Sequence, residues 1–351
     1  MRDDISKIPT GAIRYNTDSN KMECFNGTQW MQVSVSSPDL NGGARGFHNG
    51  GRKTPGYAYS DQIDAYNIET TGSVFDFGDM TATSSNNYEQ GAFSSHIRAC
   101  AFGGRPSNTH SNAIEYITMS SSGNSADFGD LTSDNPTQPS GFSSRTRGVR
   151  CGGIKAASSP ATSFGVNVMD YVTIASTGNA VDYGDMSNGA SGGQCSSSPT
   201  RGFIMGGMAP HNLSSGASSL AVNTIQYVTT ATTGNSQDFG DCVIITKVAS
   251  QGSNATRTLC GGNSYPAATT LIQSLTNATL GNSQDFGDLT AARNSMGAAA
   301  SSTRVVFTGG CCYSDVMDYN EIATAGNSTD FGDLSSSNGF NNGFSNAHGG
   351  L

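Results

Sequence analysis

The stretch Ile225-Gln226-Tyr227-Val228-Thr229-Thr230-Ala231-Thr232-Thr233-Gly234-Asn235-Ser236-Gln237-Asp238-Phe239-Gly240-Asp241 decides the fold, because the chain repeats its frame six times. Asp-Phe-Gly-Asp, with Tyr for Phe once, begins at Asp76, Asp127, Asp182, Asp238, Asp285 and Asp330, in steps of 51, 55, 56, 47 and 45 residues. A glycine always stands four residues earlier (Gly72, Gly123, Gly178, Gly234, Gly281, Gly326). Nine residues before that glycine comes Ile or Met (Ile63, Ile114, Met169, Ile225, Ile272, Met317). A second landmark, Gly-Gly, ends an apolar run at Gly50, Gly103, Gly152, Gly206, Gly261 and Gly309, and returns at Gly349-Gly350. A period near 50 residues marks an array of like units.

One unit reads as four short strands. Residues 92–95 and 98–102 lead to the double glycine, residues 114–119 alternate as a third strand, and residues 126–131 make a fourth. Gly123-Asn124 reads as a two-residue hairpin turn, and Gly-Asn recurs in five units, with Gly72-Ser73 in the first. Four strands per unit is the pattern of a propeller blade, close to the kelch period. The expected fold is therefore all-β: a six-bladed β-propeller of four-stranded blades over residues 38–351, preceded by a small β-hairpin module over residues 1–37. Residues 335–351 are expected to supply material for the first and second strands of the first blade, with residues 45–51 competing for the second place. Seven blades are the alternative if both chain ends build extra strands.

Composition agrees with this class. Gly numbers 45 in 351 residues and charged residues are only 13%, about half the usual quarter, which leaves no material for long charged helices. A net charge of −9 provides no electrostatic footprint for nucleic acid or an anionic bilayer. No apolar run approaches a membrane span, and the start Met1-Arg2-Asp3-Asp4 has no apolar leader core, so a soluble chain without a cleaved signal is expected. The eight cysteines show no CxxC spacing and read as small buried hydrophobes.

Insertions are confined to one connection. Between the double glycine and the next Ile or Met lie residues 52–62, 105–113, 154–168, 208–224, 263–271 and 311–316, of six different positions and several lengths, whereas the segment from Ile/Met to the final Asp never varies. In a propeller these six loops crowd one face. They carry Tyr57, Tyr59, His110, Phe164, His211, Tyr265 and Tyr313 among small polar residues, a composition that suits recognition.

Other chemistry is poorly supplied. Asp-Phe-Gly belongs also to kinases, but neither a Gly-rich phosphate loop nor an HRD loop is present. The repeated aspartates offer too few clustered oxygens for a calcium loop and are expected to accept backbone N–H bonds in the turn ending strand four. A repeated arginine (Arg45, Arg98, Arg147, Arg201, Arg304, with Arg257 one place late) is expected to bridge blades by pairing with a repeat Asp. The five histidines lack metal-ligand spacing. No catalytic residue, metal or cofactor is implied, and no Gly-x-Ser-x-Gly elbow, Walker loop or sialidase-type Asp box is visible. Two carboxylates from different blades could still meet in space.

The units around 225–241, with Thr303-Arg304-Val305-Val306-Phe307-Thr308-Gly309-Gly310 and the closing Ser345-Asn346-Ala347-His348-Gly349-Gly350-Leu351, resemble the kelch-like repeats of virion structural proteins of tailed phages, marine and cyanobacterial ones especially. The resemblance covers residues 41–351. Ile8-Pro9-Thr10-Gly11-Ala12-Ile13-Arg14-Tyr15-Asn16-Thr17 followed by Phe25-Asn26-Gly27-Thr28-Gln29-Trp30 is similar to a segment near the attachment regions of phage tail fibres, and reads as two hairpins turned at 18–20 and 26–27. It implies a virion protein, assembled in the host cytoplasm, probing the host surface as a tail fibre or appendage. Arg14, Tyr15, Phe25 and Trp30 would attach it to other virion proteins, and a host glycan or protein would be its target. A capsid decoration or head-fibre protein is the alternative, and a glycan-degrading enzyme a more distant one. Fibres are often trimers, so a homo-oligomer is compatible.

Overall fold

A computed structural model describes residues 7–17, 21–32, 44–53, 58–81, 90–104, 111–132, 136–156, 163–188, 192–208, 221–311 and 313–351. The chain divides into two compact units, Met1–Asn41 and Gly42–Leu351.

The first unit is a three-stranded antiparallel sheet, Ile13–Asn16, Lys21–Phe25 and Trp30–Gln32. The second hairpin turns where expected: Asn26 Oδ1 accepts the N–H of Thr28 and Gln29, and Gly27 takes φ +99°. Residues 18–20 lie outside the described residues. Register puts Arg14 opposite Glu23 and Phe25 opposite Trp30 on one face, with Tyr15 opposite Met22 on the other.

In the second unit every repeat builds a four-stranded antiparallel sheet, in a propeller-like arrangement. Sheet II is Gly91–Ser94, Arg98–Phe102, Ala113–Thr118 and Ala126–Asp130, within about one residue of the expected strands. Sheets III, IV, V and VI repeat it from Ser140–Ser143, Gln194–Ser197, Ser250–Ser253 and Gly297–Ala300. Sheet I joins the chain ends: its first strand is Asn342–Ser345, and Arg45–Asn49, Gln62–Asn67 and Phe75–Asp79 follow. Residues 45–49 thus take the second place and the C-terminal segment only the first. First strands stand side by side in the order I to VI, and that of sheet VI neighbours that of sheet I.

The repeated residues explain the contact between sheets. The Asp-Phe-Gly-Asp rings Phe77, Phe128, Tyr183, Phe239, Phe286 and Phe331 are all buried, within apolar clusters that also draw side chains from a neighbouring sheet, as Phe128 does with Val172 and Ile174. Fourth-strand backbone meets the Gly-Asn segment of the next sheet: Gly123 N–H donates to Phe77 O at 2.9 Å, and Asp79 N–H donates to Asn124 Oδ1 at 3.1 Å. A Cβ on Gly129 would lie 2.5 Å from Gly178 O at φ +145°, so this close approach requires glycine. Two expectations are corrected here. The link from strand three to strand four runs over residues 119–125, not two residues, because Gly-Asn is spent on the neighbouring sheet. The repeat aspartates turn their side chains outward; their N–H groups, not their carboxylates, make the repeated bond.

The repeated arginine does bridge sheets, but to backbone carbonyls where an Asp partner was expected. Arg98 Nη1 donates to Ile174 O and Ala175 O, Arg201 to Asn277 O and Ala278 O, Arg257 to Ile322 O and Ala323 O, and Arg304 to Glu69 O. Each of the first two guanidiniums also lies over its own sheet's tyrosine, 4.7 Å from the Tyr116 centroid and 5.0 Å from Tyr227. A serine or asparagine three residues upstream accepts the arginine's N–H, as Ser95 does for Arg98. In sheet I the part is taken by Asn346, from the far end of the chain.

Candidate functional site: an axial recess within the variable rim

Each variable connection leaves the end of a second strand, and Gly91 pairs with Phe102 in register. The starts of the first strands therefore share a rim with the variable loops. Two of those loops fold back as hairpins: Arg52–Lys53 and Ala58–Tyr59 extend sheet VI through Asn338 and Gly339, and Ile154–Ala156 with Ser163–Gly165 pairs with Pro136–Thr137.

At this rim the first strands surround a recess open to solvent. All six sheets or their leading segments line it, through Gln90, Gln138, Gln194, Gln251, Met296 and Asn341 among others. The residue two before each first strand takes a left-handed backbone: Gln138 (φ +52°), Gly192 (+62°), Val248 (+53°), Ser295 (+53°) and Phe340 (+60°). For a β-branched valine that is an outlier, held by a belt of backbone bonds. Gly192 N–H donates to Gln138 O at 3.2 Å, Val248 to Gly192 O at 2.8 Å, Ser295 to Val248 O at 2.9 Å, and Phe340 to Ser295 O at 3.2 Å. The equivalent residue of sheet II, Glu89, lies outside the described residues.

A second belt circles the other end of the first strands. Ser143 Oγ donates to Ser94 O, Ser197 to Ser143 O, Ser253 to Ser197 O, each at 2.7 Å, and Ser94 to Ser345 O at 2.7 Å. Ser345 Oγ donates to Ala300 O. Ala300 has no hydroxyl to continue the belt, and the carbonyl it would have served, Ser253 O, accepts Gly349 N–H at 2.8 Å instead. The tail is packed tightly there: a Cβ on Gly350 would lie 1.9 Å from Ser143 O. His348 Nε2 meets Ser94 O at 3.0 Å and Ser143 Oγ at 3.2 Å. Burial lowers the His348 pKa to about 4, so it is neutral near pH 7.

Between the belts and the outer strands lies a polar layer that the motif reading missed. The residue after each Ile/Met is Asp64, Glu115, Asp170, Gln226, Gln273 or Asp318, and all are buried. Five accept the backbone N–H two residues past the preceding sheet's Asp-Phe-Gly-Asp, as Gln226 does from Ser187 at 3.0 Å and Asp170 from Thr132 at 3.0 Å. Asp64 accepts the Ser335 hydroxyl, and burial raises its pKa. The restriction to Asp, Glu or Gln at that position was the available signal. Arg150 forms a buried fork with Asp170 (3.0 and 3.1 Å), donating also to Gly152 O and Val168 O. Arg293, from a different sequence position, makes the matching set with Asp318, Gly309 O and Val316 O. At the position of Arg150, sheet I places His48, whose Nδ1 meets Thr308 Oγ1 at 3.1 Å and Nε2 meets Asn338 at 3.0 Å. Burial, with Lys53 nearby, lowers its pKa to about 3.

The loop residues singled out from sequence fare unevenly. Tyr57, His110 and His211, and the side chain of Phe164, lie outside the described residues. Tyr59 receives Arg52 Nη2 on its hydroxyl at 3.2 Å. Tyr265 is 46% exposed, and its N–H donates to Asn263 Oδ1. Tyr313 takes φ +59° in the turn at Gly310. What the structure gathers at the axis is instead a set of amides that carried no repeat signal. In the N-terminal unit, Arg14 pairs with Glu23 at 2.9 Å and lies 4.2 Å over Trp30, which packs on buried Phe25. Hydrogen bonds from Asn16 and then Arg14 lower the Glu23 pKa. Those three attachment candidates hold the module together, whereas Tyr15 (56% exposed) shares an apolar face with Ile13, Met22 and Met31. Among the described residues no group of three or more His, Cys, Asp or Glu is placed to hold a metal, and no helix is long and apolar enough to cross a membrane.

No protein-family model and no curated protein matches this sequence. Among solved structures, that of YjhT is similar in fold, with a TM-score of 0.59 at 11% identity over 72% of this chain and 86% of that one.

Proposed function

We propose that this chain is a virion protein of a tailed phage, a tail fibre or similar appendage, whose N-terminal module attaches to the particle and whose second unit is a closed six-bladed kelch-like propeller that contacts the host surface. Closure is supported by the C-terminal strand in sheet I and by the serine belt, whose bonds run from Ser94 back to Ser345 and on to Ala300. The observation that carries the recognition reading is the contrast between rims: the arginine and Gly-Asn side of every sheet repeats around one rim, while the connections that differ in length leave the second strands at the rim that holds the recess. A rigid scaffold with one free rim suits binding. Among the described residues the recess is lined by amides, hydroxyls and apolar groups, a lining that suits binding.

The test is the position of the protein on the particle in an electron-microscopy map of the virion, or by gold-labelled antibody. Density or label at the tail tip or fibres is expected. Label on the capsid surface would replace the tail reading with a decoration or head-fibre role.

A further inference from the structure

We propose that the axial recess binds an uncharged sugar ring, a hexopyranose; this rests on the recognition reading above. Among the described residues the lining contains no Asp, Glu, Lys, Arg or His. A sulfate, phosphate or sugar-acid carboxylate entering it would lose hydration without gaining a counter-charge, and the net charge of −9 repels anions further. The polar groups that are present suit hydroxyls. Gln90, Gln194, Gln251 and Asn341 come from different sheets or leading segments, and each amide both donates and accepts, as a sugar hydroxyl does.

Two of these residues keep an amide atom without a partner in the protein: Gln90 Nε2 and Asn341 Oδ1 are buried with no hydrogen bond. Gln251, 8% exposed, meets the Cys260 thiol. Buried amide atoms without partners are rare because they are costly, and their presence in residues that line a recess is explained by ordered solvent or a ligand there. Met296 and Phe340 add apolar surface to the same lining, suited to the C–H faces of a pyranose. The two belts of hydrogen bonds fix the walls beforehand, which reduces the ordering that binding requires. With the tail packed across the far ends of the first strands, a ring enters from the variable rim, which fits the terminal residue of a longer glycan.

The test uses the full chain and ligand-observed NMR with the methyl glycosides of glucose, galactose, mannose and N-acetylglucosamine, beside glucuronic acid and N-acetylneuraminic acid. At least one neutral glycoside should bind. Gln194→Met and Gln251→Met should each weaken it by about tenfold, the loss of one hydrogen bond in a desolvated site, without lowering the melting temperature. The proposal is overturned if no neutral glycoside binds at millimolar concentration, if the acidic sugars bind better, or if binding survives both substitutions. The premise fails separately. Particles that need the variable loops for adsorption while the protein binds no neutral glycoside keep the recognition reading and reject the sugar site. A protein that binds a neutral glycoside through Gln194 on particles whose adsorption ignores both loops and Gln194→Met keeps the site and rejects its role in adsorption.

Discussion

At the rim where the third strands end, each repeat carries an arginine that reaches the carbonyls of the next sheet, a Gly-Asn or Gly-Ser that docks on the preceding fourth strand, and a buried aromatic between them. At the opposite rim the connections range from residues 311–316 to residues 208–224. Some return as hairpins paired to the leading segment of a first strand, and the axis between them is lined by unrepeated amides. Repetition follows the bonds between sheets, since every sheet must meet its neighbours in the same way. At the variable rim the sheets are joined through the main chain, as from Val248 N–H to Gly192 O, which leaves the side chains free to differ.

The sharpest way to break this contrast is to remove a ring from the repeated machinery. Phe128→Ala should cost about 3–5 kcal/mol, read as a fall in the urea midpoint, whereas cutting residues 208–224 to the length of 311–316 should leave the midpoint nearly unchanged. Equal effects would contradict the division. Asp170→Gln tests the buried layer: it leaves Arg150 without its carboxylate and should cost about 3–5 kcal/mol. Adding Arg150→Ile recreates the Ile204 and Gln226 pair of sheet IV and should recover most of that loss. A double variant as weak as the single would mean the layer does not transfer between sheets. Arg201→Ala removes two charge-assisted bonds to Asn277 and Ala278 and the stacking on Tyr227, and about 1.5–3 kcal/mol should follow in thermal unfolding.

A smaller effect concerns the tail. His348 has a folded pKa near 4 against about 6.5 unfolded, so below pH 6.5 the unfolded chain binds the extra proton first. Its contribution is complete above about pH 6.5 and is lost as pH falls toward 4. His348→Gln should reduce the slope of melting temperature against pH in that window. His48, with its lower folded value near 3, should keep part of the slope, and an unchanged slope would place His348 in contact with solvent.

How much of this was legible follows from the same contrast. The strands, the buried rings and the bridging role of the arginines could be read because they recur. Backbone acceptors leave no trace in a sequence, which is why an aspartate was expected where Ile174 O and Ala175 O serve Arg98. The buried Asp, Glu or Gln after each Ile/Met does recur, but varies between charged and neutral forms, so it escaped a search for identical motifs. Gln90 and Asn341 each precede their first strand by one residue, but Gln194 and Gln251 stand at two other places in the frame. They meet through the left-handed residues at Gln138, Val248, Ser295 and Phe340, a conformation that side chains of such different kinds do not announce.

The central claim, that the variable rim recognises the host, is tested most directly by adsorption. Particles carrying this protein with residues 154–168 and 208–224 both shortened to the length of 311–316 should assemble with the normal copy number and bind host cells much more slowly. Normal adsorption by such particles would contradict the account.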